Sequence, residues 1–227
     1  MSVTLACIHT SHVLIPMFAE LCKRELGGVE IFHMVDESLI RNTIRAQGLT
    51  KTTIRRVLSA VQSAHDGGAD AVMVTCSSIG AAASIASRLF EFPVIRVDES
   101  MAEEAVRSGG RIGVAATLRT TLEPTVALLR EKGLAMHREI DVVESLCEGA
   151  FEAVLSGDTE AHDRLLAESL ASLTKDVDVV VLAQASMARV VDSLPPSSLR
   201  IPVLSSPEFA VRNARSLLFP EGSGSLN

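Results

Sequence analysis

ADAVMVTCSSIG, spanning Ala69–Gly80, is an apolar run that ends in Thr75-Cys76-Ser77-Ser78 and passes into an Ala-rich segment, AAASIASRLF. An unbroken apolar run of this length reads as a strand covered on both faces, the condition found in parallel sheets. The thiol of Cys76 therefore sits where a buried strand hands over to a helix. A second stretch, VDVVVLAQASMARVV (Val177–Val191), has the same shape but carries Gln184 at the equivalent place.

Sliding the chain on itself until Cys76 meets Gln184 brings these two stretches together. The same offset sets Val72–Thr75 against Val180–Ala183, Thr50 against Asp158, and Val35-Asp36 against Val143-Glu144. Pro93-Val94 meets Pro202-Val203 one position further on, and VTLACI falls opposite RIGVAA. Such self-similarity points to two like halves. Eight strands are expected, beginning at Val3, Glu30, Ala69, Pro93, Arg111, His137, Asp178 and Pro202. Helical-period segments such as TTIRRVLSAVQSAH, TLEPTVALLREKG and DRLLAESLASLTK lie between them. Alternation of this kind is the α/β pattern. The expected architecture is two similar α/β lobes with parallel sheets, related by a pseudo-twofold axis. One lobe takes residues 1–97 plus 207–227 and the other takes 98–206, with the active site in a cleft between them. In open α/β sheets, ligands bind beyond the carboxyl ends of the strands. That rule puts Cys76 and Gln184 on opposite walls of the cleft.

The chain has 227 residues, a formal net charge of −7 and no long basic cluster, so a nucleic-acid surface is not expected. No apolar stretch approaches the roughly 18–20 residues of a membrane span, and MSVTLACIHTSH lacks the features of a secretion signal. A cytoplasmic protein is expected. Four scattered cysteines without C-x-x-C give no disulfide framework and no metal-ligand spacing. G-x-G-x-x-G after a strand, the phosphate-binding G-x-x-x-x-G-K-[ST], H-E-x-x-H and G-x-S-x-G are all missing. Chemistry without a cofactor or metal, on a small carboxylate, is the reading that remains. A homo-oligomer is the common state of compact enzymes of this size. The EGSGSLN tail after Pro220 reads as flexible by composition.

Among residues able to do chemistry, Cys76 comes first. A helix N-terminus stabilises an anion, so the thiol pKa is expected to fall. Thr75, Ser77 and Ser78 can supply hydroxyl donors beside it, and they can equally serve as helix caps. Cys7, Cys22 and Cys147 read as small buried hydrophobes, Cys7 in a strand and the other two in helical patterns. The first strand ends in His9-Thr10-Ser11-His12, where either histidine could act as a base or a carboxylate partner. RIGVAATLRTT places Thr117 at a strand end, with Thr120-Thr121 opening the next helix. Asp36-Glu37 follow the second strand and could reach the cleft mouth or simply cap a helix. His33, His65, His137 and His162 read as strand or surface positions.

VMVTCSS resembles the first catalytic segment of the aspartate/glutamate/hydantoin racemase superfamily. IGVAATLRTT is similar to that family's I-G-V-x-x-T-x-x-T segment, and IPVLSSPEFAVRNA to its last strand-helix unit. The HTS after the first strand, in place of Asp-Ser, leans towards the hydantoin-racemase-like branches. The resemblance implies a cofactor-independent isomerase of racemase or epimerase type, acting next to a carboxylate of a small amino acid, dicarboxylate or hydantoin. It implies two facing cysteines that exchange protons with opposite faces of the substrate carbon. Carried over by position, Cys76 is the first of these, with His9 as a further candidate acid or base. Thr10, Ser11, Thr75, Ser77, Ser78, Thr117, Thr120, Ala185 and Ser186 then line the substrate. Gln184 stands where the family has its second cysteine, and an amide cannot exchange a proton at useful pKa. A decarboxylase of a substituted malonate, a maleate-type cis–trans isomerase and a non-catalytic anion-binding protein are the alternatives.

Overall fold

The computed structural model describes residues 2–193 and 200–219, so the EGSGSLN tail lies outside the described residues. Two compact units divide the chain: one runs up to Val97 and resumes at Pro207, and the other is Asp98–Ser206.

The first unit contains β1 (Val3–His9), α1 (Ile15–Glu25), β2 (Val29–Val35), α2 (Glu37–Arg45), α3 (Lys51–Asp66), β3 (Ala71–Val74), α4 (Gly80–Leu89) and β4 (Val94–Arg96). Its strands form a parallel sheet in the order β2-β1-β3-β4. In the second unit α5 (Glu99–Ser108) precedes β5 (Arg111–Ala116), α6 (Arg119–Ala135), β6 (Asp141–Leu146), α7 (Ala150–Leu155) and α8 (Thr159–Leu173). There follow β7 (Val179–Leu182), α9 (Ala188–Ser193) and β8 (Val203–Ser205), and the parallel order is β6-β5-β7-β8. From the unit boundary onward α10 (Ser206–Leu218) returns to the first unit.

Successive side chains of a strand point to opposite faces, and in the first unit both faces are covered. Ala6 and Ile8 of β1, with Val72 and Val74 of β3, pack under Leu39, Val57, Val61 and Ala82 of α2, α3 and α4. Leu5 and Cys7, with Ala71 and Met73, pack on the other face against Phe18 and Cys22 of α1 and Ala210, Val211 and Ala214 of α10. Full burial of a side chain such as Phe18 contributes about 1.5–3 kcal/mol. This double coverage explains the continuous apolar runs of the sequence.

The repeat seen in the sequence is structural. β3 and β7, the 3-10 turns Ser77–Ile79 and Ala185–Met187, and the starts of α4 and α9 all share the offset of Cys76 and Gln184. So do the caps of α3 and α8. The Thr50 side chain accepts from the Thr53 N–H at the start of α3, and that of Asp158 accepts from the Ala161 N–H at the start of α8. Each cap relieves one otherwise unpaired helix donor.

The repeat slips at one element. A strand from His137 was expected, but His137 occupies a left-handed turn (φ 52°), and β6 begins only at Asp141. The offset of the other elements would set Val29, the first residue of β2, against His137, whereas its counterpart by strand start is Asp141. Val35-Asp36 is therefore not the counterpart of Val143-Glu144. Cys147 follows β6 instead of lying in a helix, and His162 is buried in α8 rather than at the surface. No helix among the described residues is long and apolar enough to cross a membrane.

One glycine fixes how closely helix and sheet approach in the second unit. A Cβ on Gly113 of β5 would come within 2.8 Å of Leu173 Cγ at the end of α8. Gly113→Ala is therefore expected to destabilise by about 1–3 kcal/mol, as overpacking does. Denaturant unfolding measures this, and an unchanged or higher midpoint would show that Leu173 gives way freely.

Candidate functional site

Cys76 has an extended backbone (φ −126°, ψ 118°) and caps the turn Ser77–Ile79, from which α4 continues. The Thr10 hydroxyl, the Ser78 hydroxyl and the Ser78 and Ile79 backbone N–H groups are the donors beside its sulfur that favour the thiolate, and the Ile79 N–H also donates to the Cys76 carbonyl at 3.2 Å. Thr10 comes from the end of β1, so two neighbouring strand ends converge on the thiol. Thr75, Ser77 and Ser78 are buried, whereas Cys76 keeps part of its surface open. Gly80 opens α4 where Arg96 of β4 lies close: a Cβ there would sit 2.6 Å from Arg96 Nε. Only a residue without a side chain leaves room for that guanidinium.

The expected fall in the Cys76 pKa is corrected by the structure. Burial raises it, and this outweighs the donors from Thr10, Ser78 and Ile79 that lower it. The element after Cys76 is a single 3-10 turn rather than the first turn of an α-helix, which weakens the axial dipole that the expectation relied on.

His9 is fully buried at the end of β1. Its Nδ1 lies 2.8 Å from Thr75 Oγ1 and its Nε2 2.9 Å from His33 Nδ1 of β2. The Thr75 hydroxyl also donates to the Ile8 carbonyl at 3.1 Å. Both Thr75 contacts are satisfied together when Nδ1–H of His9 donates to Thr75. Desolvation, reinforced by the neighbouring His33, lowers the His9 pKa to about 4, so the ring is neutral at physiological pH. His9 thus stands behind Thr75 with both ring nitrogens engaged.

Ser11 is half-buried and caps the turn His12–Leu14. His12 is exposed and pairs with Glu37 at 2.7 Å. Asp36 caps α2 through the Ser38 N–H and meets the Arg56 guanidinium at 2.6 Å. Arg56 was not singled out in the sequence, because nothing local in TTIRRVLSAV marks it as the partner of a carboxylate on the far side of α2.

In the second unit Gln184 repeats the geometry of Cys76. Its backbone is extended (φ −128°, ψ 134°), and it caps the turn Ala185–Met187. The carboxamide is committed to Thr117, at the end of β5: Oε1 accepts from the Thr117 N–H at 2.7 Å. The Thr117 hydroxyl lies 3.0 Å from Oε1 and 2.8 Å from Nε2. Because a backbone N–H can only donate, the atom facing it must be the amide oxygen. Ala185 is buried and Ser186 exposed in the turn that follows. Thr120 Oγ1, in the first turn of α6, is buried without a hydrogen-bond partner among the described residues.

The structure thus gathers Thr10, Thr75, Ser77 and Ser78 around Cys76 in one unit. In the other it pairs Thr117 with Gln184. One further cluster escaped the sequence: the ligand atoms of Cys7, His9 and His33 all lie within 4.8 Å of one another. Cys7 and His33 are register partners on adjacent strands, and a pairing that spans all of α1 leaves no local motif.

The profile of the Asp/Glu/Hydantoin racemase family matches residues 8–214. The chain belongs to that family. Membership places it among racemase-type isomerases. No protein of curated function matches it in sequence. Allantoin racemase from Klebsiella pneumoniae is similar in structure, with 20% identity, 96% of this chain and 88% of that chain covered, and a TM-score of 0.69. Glutamate racemase from Francisella tularensis, in complex with D-glutamate, shares 16% identity over 96% of this chain and 81% of that one, with a TM-score of 0.72. Aspartate racemase from Picrophilus torridus shares 14% over 95% and 94%, with a TM-score of 0.70. At these identities the likeness shows the common fold.

For this racemase-family chain the Cys76 environment has a direct readout. Thiolate is the nucleophile, so a raised pKa makes alkylation climb with pH beyond the ordinary thiol range. Iodoacetamide should modify Cys76 ahead of the buried Cys7, Cys22 and Cys147, and its rate should still be rising past pH of about 8.5. Peptide mapping of the labelled protein checks this. A rate that levels off near neutrality would mean a stabilised thiolate and overturn the burial argument.

Proposed function

We propose that this protein is a cofactor-independent isomerase acting on the carbon next to a carboxylate in a small amino acid, dicarboxylate or hydantoin-type substrate. The observation that carries this reading is the donor set around Cys76. Thr10, the Ser78 hydroxyl and the Ser78 and Ile79 N–H groups converge on one partly open thiol. Donors that converge on a developing anion stabilise it without reorganising during the reaction. Family membership over residues 8–214 supplies the reaction class.

In this reading Cys76 carries the proton, and Thr10, Ser11, Ser77 and Ser78 hold the substrate's polar groups. Thr75 is kept in place by His9, which acts as a positioning residue. Gln184, at the end of β7, stands at the sequence position of the family's second cysteine. Its amide contributes hydrogen bonding beside Thr117, Thr120, Ala185 and Ser186 but no exchangeable acid, so the proton on the opposite face of the carbon is exchanged with solvent and inversion is slower than exchange with retention. A substrate carboxylate close to Cys76 would raise the thiol pKa further, so the resting site holds the proton and each thiolate that forms is a stronger base.

One observation favours a second reading. Gln184 is locked onto Thr117 through both backbone and hydroxyl, which suits chemistry on a single face. Decarboxylation of a substituted malonate needs one proton donor, and cis–trans isomerisation of a maleate-type diacid needs one nucleophile.

The test is a turnover panel of amino acids, substituted hydantoins, malonates and maleate, followed by chiral chromatography and CO₂ release. Wild type should convert at least one member, and Cys76→Ala should lower that rate by about 10²–10⁴-fold, as expected for removal of an acid/base group. A fully active Cys76→Ala, or no conversion of any member, defeats the proposal.

A further inference from the structure

We propose that Cys7, His9 and His33 form a binding site for a zinc-type divalent ion, on the α1 side of the first sheet. Cys7 and His9 are two apart on β1, so their side chains share a face, and His33 is the β2 residue in register with Cys7. His9 packs against Phe18 of α1, which fixes that face. One sulfur and two imidazole nitrogens are the donor types that zinc selects.

The hydrogen bonds around the cluster already set the lone pairs. Thr75 donates to the Ile8 carbonyl and therefore takes the Nδ1–H of His9, which leaves Nε2 of His9 as an acceptor. A metal-ligating histidine is held in this way, its second ring nitrogen bonded to an outer group that orients it. That Nε2 is 2.9 Å from His33 Nδ1. Two nitrogens on a tetrahedral zinc lie about 3.3 Å apart, given Zn–N distances of about 2.0–2.1 Å. Cys7 Sγ is within 4.8 Å of a ring nitrogen of each histidine, and a movement of roughly 1 Å brings it to a zinc-bound spacing. The Cys22 thiol of α1 packs in the same buried cluster as Cys7.

The exchange balances in protons. Zinc replaces the proton that joins His9 to His33, and that proton moves to Nε2 of His33. The Cys7 thiol releases one proton to solvent as it becomes a thiolate ligand. Access comes from the edge of the sheet, where β2 is the outer strand and His33 is half-buried.

The full chain, reduced and stripped with a chelator, is titrated with Zn²⁺ against a chromophoric competitor and separately with Co²⁺. One equivalent should bind, the melting temperature should rise, and Co²⁺ should give a thiolate-to-metal charge-transfer band. His33→Gln, on the half-buried edge strand, should weaken Zn²⁺ binding at least tenfold, the scale set by perturbing a metal site's supporting groups. Cys7→Ser should abolish the charge-transfer band, and Cys76→Ala should leave both signals in place. No stoichiometric binding, or binding that survives His33→Gln and Cys7→Ser, overturns the proposal. So does a signal that disappears with Cys76→Ala, which would place the ion at the candidate active site. Should Cys7→Ser fail to fold, the His33→Gln affinity and the wild-type Co²⁺ spectrum still decide the matter.

Discussion

Parallel strands covered by helices on both faces leave few places where a polar side chain can meet solvent. Along β1 and β3 alternate residues enter two different cores, and both cores are closed. Only beyond the carboxyl ends does the chain turn outward, where free N–H groups of the next turn await a partner. Thr10, Cys76, Thr117 and Gln184 all stand at such ends. Coverage of the sheets therefore fixes where chemistry can occur before any reactive group is specified.

The two units solve that constraint with one backbone and different side chains. Cys76 and Gln184 share an extended cap conformation, a 3-10 turn and a following helix. At the first, donors converge on a sulfur that burial keeps protonated. At the second, a carboxamide is tied to Thr117, so the N–H at the end of β5 already has its acceptor. A thiol that holds its proton suits delivery to a carbanion, and an amide fixed in this way holds its position without giving up a proton. The asymmetry lies in the side chains and their hydrogen bonds, and the fold itself is repeated.

The repeat was legible because its markers are local. Thr50 and Asp158 are caps that any reading of helix starts would find, and Thr75-Cys76 and Ala183-Gln184 end apolar runs of equal length. The β6 boundary was not legible, because HREIDVV is apolar enough for a strand while the left-handed turn at His137 depends on what surrounds it. The Cys76 pKa was misjudged for a related reason: the donors are written in CSSI, but the desolvation that outweighs them comes from packing. His9 looked like a free base at a strand end. Its role depends on Thr75, distant in sequence, and on His33, which only the parallel register of β1 and β2 brings close.

The central claim is that Cys76 is the only group of the site that moves a proton to or from the substrate carbon. Turnover in D₂O, with the stereochemistry of deuterium entry resolved by NMR at early conversion, tests it most directly. The account predicts that label enters on one face of the carbon, with entry on the opposite face at least about a hundredfold slower, as for a missing acid/base group. Equal early entry on both faces would contradict it, because a second proton carrier would then have to exist opposite Cys76.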